Sequence, residues 1–437
     1  MPDHAISADP AVQAQLDRLW ALSPGADVLG LERITRLLAR LGDPHVSLPP
    51  VFHVAGTNGK GSTCAFLRAA LEAAGHDVHV FSSPHLVRFN ERIRIAGRLI
   101  DDAALAALLS EVLDHSHGIG ASFFEVTTAA AFLAFARTPA AATIIEVGLG
   151  GRLDATNVIA RPAVTGIAAL GMDHEAFLGN RIVDIAAEKA GIAKPGVSLV
   201  TMNYPAGCRT AVDAIAEAAG ATVIARNESW WSETARGTMR YRDASGAIVT
   251  HRPRLVGPHQ SRNLALAIAM LRHQDAVPVP EAAMRAAADW AQWPARMQRL
   301  GAGPLHDRLP EGGELWLDGA HNPSAAKPVA RALRDVAAGR PVTLMLGMLA
   351  NKDSGGVLRT LAPAVARVIA VPVPGHAHHA PAALATIAED CGVPGETALD
   401  LPNALDRAAR HGDSVVLIAG SLYLAGEALA LNDEVPI

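Results

Sequence analysis

Three cysteines in 437 residues, Cys64, Cys208 and Cys391, are too few and too widely spaced for a disulfide framework or a cysteine-ligated zinc. Aromatic residues are scarce, at 4%, although half the chain is hydrophobic, so its cores must be built mainly from Ala, Leu, Val and Ile. A basic excess is missing as well: 38 Lys and Arg face 43 Asp and Glu, a formal charge of -5, and no global field draws in nucleic acid or membrane phosphates. No uninterrupted apolar run approaches the roughly 18 residues of a membrane span, and MPDHAISADP has no cationic stretch leading into an apolar one. These absences predict a cytoplasmic protein that works without nucleic acid or membrane. Its length is enough for two or three domains, each with its own core.

What the chain does have is a glycine-rich turn. In FHVAGTNGKGSTC the apolar Val51, Phe52 and Val54 predict a buried strand, and Phe66, Leu67, Ala70 and Leu71 recur at helical spacing until Gly75. The glycines therefore sit where a strand enters a helix. A helix N-terminus offers unpaired N-H groups and the positive end of its dipole, and Gly56, Gly59 and Gly61 remove Cβ atoms that would hold a polyphosphate away. Lys60 supplies a cation, and the hydroxyl of Ser62 can reach a Mg²⁺. The spacing is not that of the common phosphate loop, because Gly61 separates Lys60 from Ser62.

Along the rest of the chain, strands alternate with helices. DVLGLERITRLLARLGDPH puts Leu31, Ile34, Leu37, Leu38 and Leu41 on one helical face. HDVHVFSSPHL and AATIIEVGLGGRLDATN read as strands that run into polar turns, AVTGIAAL as a third, and residues 102 to 113 and 125 to 136 as helices. This predicts a mostly parallel sheet with ligands at the carboxyl ends of its strands. Residues 221 to 256 switch to short strand-like pieces. The alternation restarts after WPARMQRL, with strands in ELWLDGAHNP, PVTLMLGML, ARVIAVPV and SVVLIAGSLYL. The division expected is residues 1–295 and residues 296–437.

Polar side chains collect at the predicted strand ends. Ser83, Glu146 and His174 would bring a hydroxyl, a carboxylate and an imidazole beside the glycine turn, a set that suits Mg²⁺, with Mn²⁺ conceivable because of the histidine. Singly, each has a plain structural reading: a turn former, an ion-pair partner and a loop cap. In DGAHNP, Asp318 and His321 fit a ribose or phosphate contact, while Asn322 and Pro323 equally fit a helix start. His376, His378 and His379 in GHAHHAP lack acidic company and read as solvated histidines.

Taken in order, HVAGTNGKGST, SSPHLVRFNERIRI, EVGLGGRLDATN, MDHEAFLG, AEKAGI, GPHQSRN and DGAHNP resemble the folylpolyglutamate synthase and dihydrofolate synthase family, relatives of the Mur ligases. The likeness covers nearly the whole chain from about residue 28. It implies an α/β protein with an N-terminal P-loop-type ATPase domain built on a mostly parallel sheet, joined to a C-terminal Rossmann-like domain, with the active site in the cleft between them. It also implies ATP and Mg²⁺, the substrates dihydropteroate, folates and L-glutamate, and a monomer. In the reaction implied, a pterin or folate carboxylate takes the γ-phosphoryl group and the amine of L-glutamate attacks the acyl phosphate.

By the same resemblance, Asn58, Gly59, Lys60, Gly61 and Ser62 hold phosphates, Asn263 contacts adenine, and Arg296 and Asp318 meet the nucleotide. His321 acts near the transferring group. Lys189 matches a lysine that the family carbamylates to help bind metal, where the plain reading is a surface lysine beside Glu188. Metal contacts fall on Ser83, Glu146, His174 and Lys189. The pterin site takes in Gly30, Leu31, Ser83, Pro84, Phe123, Phe124, Glu125, Asp154 and Ala155. The two phenylalanines suit stacking on a flat ring, though alone they read as core. The form GGRLDATN resembles bifunctional members that accept dihydropteroate. Ala295 stands where a glycine is common, and residues 301 to 314 look like a longer loop. Two other readings stay open: a Mur-type amide ligase acting on a nucleotide-sugar peptide, and a non-catalytic ATP-binding module.

Overall fold

The computed structural model describes residues 5–22, 28–412 and 415–437, so the first four residues of MPDHAISADP lie outside it. The chain divides into two compact units, one comprising the chain through Arg254 and again Gln260–Gln292, the other Leu255–His259 and Trp293–Pro436.

The first unit is built on eight strands: β1 (Val51–Ala55), β2 (Val78–Phe81), β3 (Ile93–Ile95), β4 (Arg98–Leu99), β5 (Ala142–Glu146), β6 (Val164–Ile167), β7 (Ser198–Thr201) and β8 (Thr222–Ala225). They lie in the order β4-β3-β2-β5-β1-β6-β7-β8, parallel except for the β2-β3-β4 edge. Strands β1, β5 and β6 are buried along their whole length, as a sheet covered on both faces requires, and this is why they read as continuous apolar runs. The register pairs Val54 with Glu146 and Phe81 with Ile145. Parallel pairing at this register brings the turns after β1, β2 and β5 to one edge of the sheet.

The short pieces predicted over 221 to 256 are β8 and an antiparallel sheet of β9 (Trp230–Ala235), β10 (Thr238–Asp243) and β11 (Gly246–His251). The helices predicted over 102 to 113 and 125 to 136 form as Asp102–His115 and Phe123–Arg137. A helix at Pro10–Ala21 was not foreseen; Asp9 caps it by accepting from the N-H groups of Ala11 and Val12.

In the second unit, β12 (Gln298–Arg299), β13 (Glu314–Leu317), β14 (Val342–Leu346), β15 (Arg367–Ala370), β16 (Gly395–Thr397) and β17 (Val415–Ala419) lie in the order β12-β13-β17-β14-β15-β16. The four long strands are those predicted. The two edge strands are too short and too polar to show a periodicity. Among the described residues, no helix is long and apolar enough to cross a membrane.

One partly buried group makes this unit sensitive to pH. The Glu427 carboxyl is pushed up to about 7, first by burial and then by Asp400, and its Oε2 has no hydrogen-bond partner. An acid raised in the folded state lends stability below the ordinary carboxylate range and loses it as the pH rises through about 7. Because the group is partly exposed, solvent screening trims the effect to about 1 kcal/mol. Glu427→Gln is therefore expected to raise the melting temperature at pH 8 by about 2–4 °C and to leave it unchanged at pH 4. Equal shifts at both pH values in differential scanning calorimetry would show that the carboxyl is not strained.

Candidate active site

The glycine turn lies between β1 and the helix Lys60–Ala73, whose N-cap Gly59 adopts the left-handed conformation (φ 87°). A Cβ at Gly59 would meet Asn263 Oδ1 at 2.7 Å, and one at Gly56 would meet Ala168 Cβ at 2.9 Å. Both glycines are thus required by contact as well as by φ. The turn is tied to β6 through the N-H groups of Thr57 and Asn58, which donate to the Ala169 carbonyl. Asn263 is buried in the helix Gln260–Arg272, and its Nδ2 donates to Gln260 Oε1 at 3.0 Å. Gly59 and the predicted adenine contact are therefore neighbours. Ser62, in the first turn of the same helix, is buried, at 2% exposure.

Lys60 Nζ stands 4.0 Å from Glu146 Oε1, and Glu146 is buried at the end of β5. Ser83 follows β2, the neighbour of β5, and its bond to Pro84 is cis. A hydroxyl and a carboxylate are hard oxygen donors suited to Mg²⁺, which keeps most of its waters. Among the described residues no three His, Cys, Asp or Glu side chains gather into a metal cluster. An ion there would lean on water and phosphate oxygens, as Mg²⁺ characteristically does. His174 is exposed, with a left-handed backbone (φ 54°), while its neighbour Asp173 is the buried member of the pair.

Lys189 is 4% exposed, which excludes the surface reading. Glu188 instead pairs with Arg152, at 2.8 Å. The Lys189 ammonium is pushed down to about 7, chiefly by burial and next by Lys60, with Asp173, Asp154 and Glu188 acting the other way. The RLDATN and AEKAGI segments are knitted together. The Arg152 N-H donates to the Glu188 carbonyl, Asn157 Nδ2 to the carbonyls of Arg152 and Gly191, and Lys194 Nζ to the Asn157 carbonyl. A Cβ on Gly151 or Gly191 would strike this junction.

Several predicted pterin residues line the same edge. Asp154 is buried, and burial pushes its carboxyl up; it accepts the N-H groups of Leu149 and Thr156 and the Thr156 hydroxyl. Thr156 Oγ1 in turn lies 2.9 Å from Nε2 of His53, which burial, then Lys194, push down to about 3 and so keep neutral. Ala155 starts the short 3-10 helix that follows. Phe123 belongs to the hydrophobic core, with Phe89 at its edge and the Arg92 guanidinium over its face, so it is not placed to stack on a ligand. Phe124 is only half-buried and lies against Gly148 at the end of β5. Gly30 and Leu31 directly precede the helix Glu32–Arg40. The 83-to-88 turn is held by Glu91, which sequence reasoning passed over: its carboxylate accepts the N-H groups of Leu86, Val87 and Arg88.

Arg296, Asp318 and His321 lie in the second unit. Asp318 is buried at the end of β13 and accepts the N-H groups of Met297 and Ala320, both at 2.8 Å. His321 Nδ1 donates to the Gly319 carbonyl, and Asn322 caps the helix Pro323–Ala337. Arg296 stands between two residues in the left-handed region, Ala295 (φ 55°) and Met297 (φ 45°). The alanine at the position where a glycine is common therefore carries backbone strain, about 1–2 kcal/mol. His376, His378 and His379 are each partly exposed, in keeping with the solvated reading, and each also has a protein contact. His376 stacks on Tyr423 at 3.9 Å, while His378 and His379 bond the carbonyls of His376 and Lys352.

The turn, its lysine and the carboxylate on the neighbouring strand give the first unit the character of a nucleoside-triphosphate-binding domain. Residues 295–422 match the family model described as Mur ligase, glutamate ligase domain, so the class is that of ATP-dependent ligases. The chain is 33% identical to the folylpolyglutamate synthase of Lacticaseibacillus casei, over 90% of this chain and 92% of that one. It superposes with a TM-score of 0.88 on Escherichia coli FolC in complex with DHPP and ADP, at 31% identity and 98% coverage of each chain. A bifunctional folylpolyglutamate synthase/dihydrofolate synthase with Mn, AMPPNP and L-glutamate bound is similar at a TM-score of 0.84 and 30% identity, over 98% of this chain and 99% of that one. The chain also spans 49% of the probable bifunctional folylpolyglutamate synthase/dihydropteroate synthase of Halobacterium salinarum, at 34% identity. The protein belongs to the folylpolyglutamate synthase and dihydrofolate synthase family.

Proposed function

We propose that this protein is a bifunctional ligase: it uses ATP to phosphorylate the carboxylate of dihydropteroate, or of a reduced folate's glutamyl chain, and joins it to L-glutamate. The observation that carries the reading is the meeting of Lys60, at the N-terminus of the loop helix, with the buried Glu146 at the end of the adjacent strand.

A carboxylate is a poor electrophile because its leaving group would be oxide, and phosphorylation replaces that group with phosphate. Bringing an anion to the γ-phosphate sets like charges together. Lys60 and the helix N-terminus offset them. A divalent ion held by Ser83 and Glu146 would neutralise phosphate charge when bound. Asn263, beside Gly59, holds adenine in this reading, and Asn58 to Ser62 hold phosphates. The glutamate amine must attack unprotonated and in line, so orienting it supplies much of the rate. Arg296, Asp318 and His321 are assigned to the nucleotide and the transferring group, with Asp318 acting by holding the backbone around Arg296. The protein is taken to be a cytoplasmic monomer, checked by cell fractionation and by light scattering on an eluting peak.

Lys189 and Lys60 bring two ammonium groups to one buried region. Carbamylation of Lys189 would replace the first with an anion able to meet a metal ion. Protein equilibrated with ¹³C-bicarbonate is expected to show one carbamate resonance that disappears in Lys189→Ala; a spectrum identical in the variant would remove this assignment.

The function is tested by ATP consumption with Mg²⁺ and L-glutamate, with 7,8-dihydropteroate and with tetrahydrofolate in parallel, following product masses. Turnover on both is expected. Turnover on tetrahydrofolate alone would withdraw the first activity, and turnover on neither would sink the reading.

A further inference from the structure

Glu125 stands in the first turn of the helix Phe123–Arg137 and is 3% exposed. Its two carboxylate oxygens are treated very differently. Oε2 accepts from Arg33 Nε at 3.0 Å and from the Ser122 N-H at 2.7 Å, the second bond completing a capping box. Oε1 is buried and has no hydrogen-bond partner. A buried carboxylate oxygen without a donor is costly, and in a folded protein it calls for an explanation such as a ligand that supplies one.

Arg33 does a second thing. Its Nη2 donates to the Val28 carbonyl, two residues before Gly30. One guanidinium therefore joins the segment that leads through Gly30 and Leu31 into the helix Glu32–Arg40 to the carboxylate of a helix distant in sequence. It is a quarter exposed, at 25% of its side chain, while the carboxylate it holds is 4% exposed.

We propose that Arg33 is a positioning residue that sets the ring specificity of the pterin site, by fixing Glu125 so that Oε1 receives the donor edge of a 2-amino-4-oxo ring. The inference rests on the pterin-ligase reading above. Such a ring presents an N-H and an exocyclic NH₂ side by side, and both are donors only, the complement of an ionised carboxylate. With Oε2 committed to Arg33 and Ser122, the carboxylate is held against rotation, and Oε1 is the oxygen left to accept. Charge-assisted bonds of this kind are roughly twice as strong as neutral ones. Arg33 itself makes no contact with the ring in this account.

The test uses the full-length enzyme with 7,8-dihydropteroate and with its 2-desamino analogue, comparing wild type, Arg33→Met, Arg33→Lys and Glu125→Gln. With dihydropteroate, Arg33→Met is expected to raise KM about tenfold or more, the usual scale of one charge-assisted bond. kcat and the KM for ATP are expected to stay within about twofold, because neither depends on the ring edge. Arg33→Lys should recover part of the loss. Wild type, Arg33→Met and Glu125→Gln should converge on the desamino analogue, which lacks the amino donor. A penalty equal on both substrates, or loss of kcat and ATP binding together, would reduce Arg33 to a structural residue and overturn the proposal. Should Arg33→Met fail to fold, Arg33→Lys and Glu125→Gln carry the same comparison. A wild-type enzyme that turns over neither pterin nor folate overturns the function reading, and this proposal with it. Wild-type turnover with an unchanged KM in Arg33→Met overturns the proposal alone.

Discussion

Lys60→Ala is expected to lower ATP turnover by about three orders of magnitude, the scale seen when a preorganised group facing developing phosphate charge is removed. Lys60 lies in the first turn of its helix beside the buried Glu146. In the proposed reading it supplies a cation to the phosphate oxygens that meet the helix N-terminus. The fold should survive, because the substitution leaves the backbone of Lys60 in place, removes a side chain paired at 4.0 Å with Glu146, and puts in a good helix former. Rapid-quench measurement of acyl phosphate separates the roles: no intermediate at saturating ATP places the defect in phosphoryl transfer. An intermediate formed at the normal rate would remove Lys60 from the mechanism.

Asp318→Ala should damage stability rather than chemistry alone. The Asp318 carboxylate is buried and is the acceptor for two backbone N-H groups, those of Met297 and Ala320. Removing it strands both donors at roughly 1–3 kcal/mol each, softened because burying the carboxylate already has a cost. The balance is a loss of about 3 kcal/mol, or a melting temperature lower by about 6–12 °C for a unit of this size. Asp318→Asn keeps an acceptor oxygen and is expected to lose less. A calorimetric trace of Asp318→Ala superimposable on wild type would mean that water replaces the carboxylate, and the residue's role would then lie wholly with the nucleotide.

Much of this site was legible in the sequence because it is local. Gly56, Gly59 and Lys60 declare a strand-to-helix turn by their own conformational needs, and the apolar runs of β1, β5 and β6 declare strands buried on both faces. Glu146 and Ser83 could be placed at one edge from parallel topology, since one ends its strand and the other lies two residues past the end of the neighbouring one. Resemblance supplied Asn263 and Lys189, which no local pattern marks as functional.

The rest depended on partners far away in the chain. Phe123 and Phe124 are adjacent, yet one is walled in by Phe89 and Arg92 while the other rests on Gly148. Asp173 is buried while His174, the member of the pair that the sequence singled out, is exposed, and His376 stacks on the ring of Tyr423, 47 residues away. The sequence alone determined where strands meet turns and which side chains stand at those turns, because periodicity and glycine geometry act over a few residues. Only the tertiary structure decided which of those side chains are desolvated, which acceptors are already taken and which, like Oε1 of Glu125, are left over. Burial and hydrogen-bond satisfaction are properties of the packed whole.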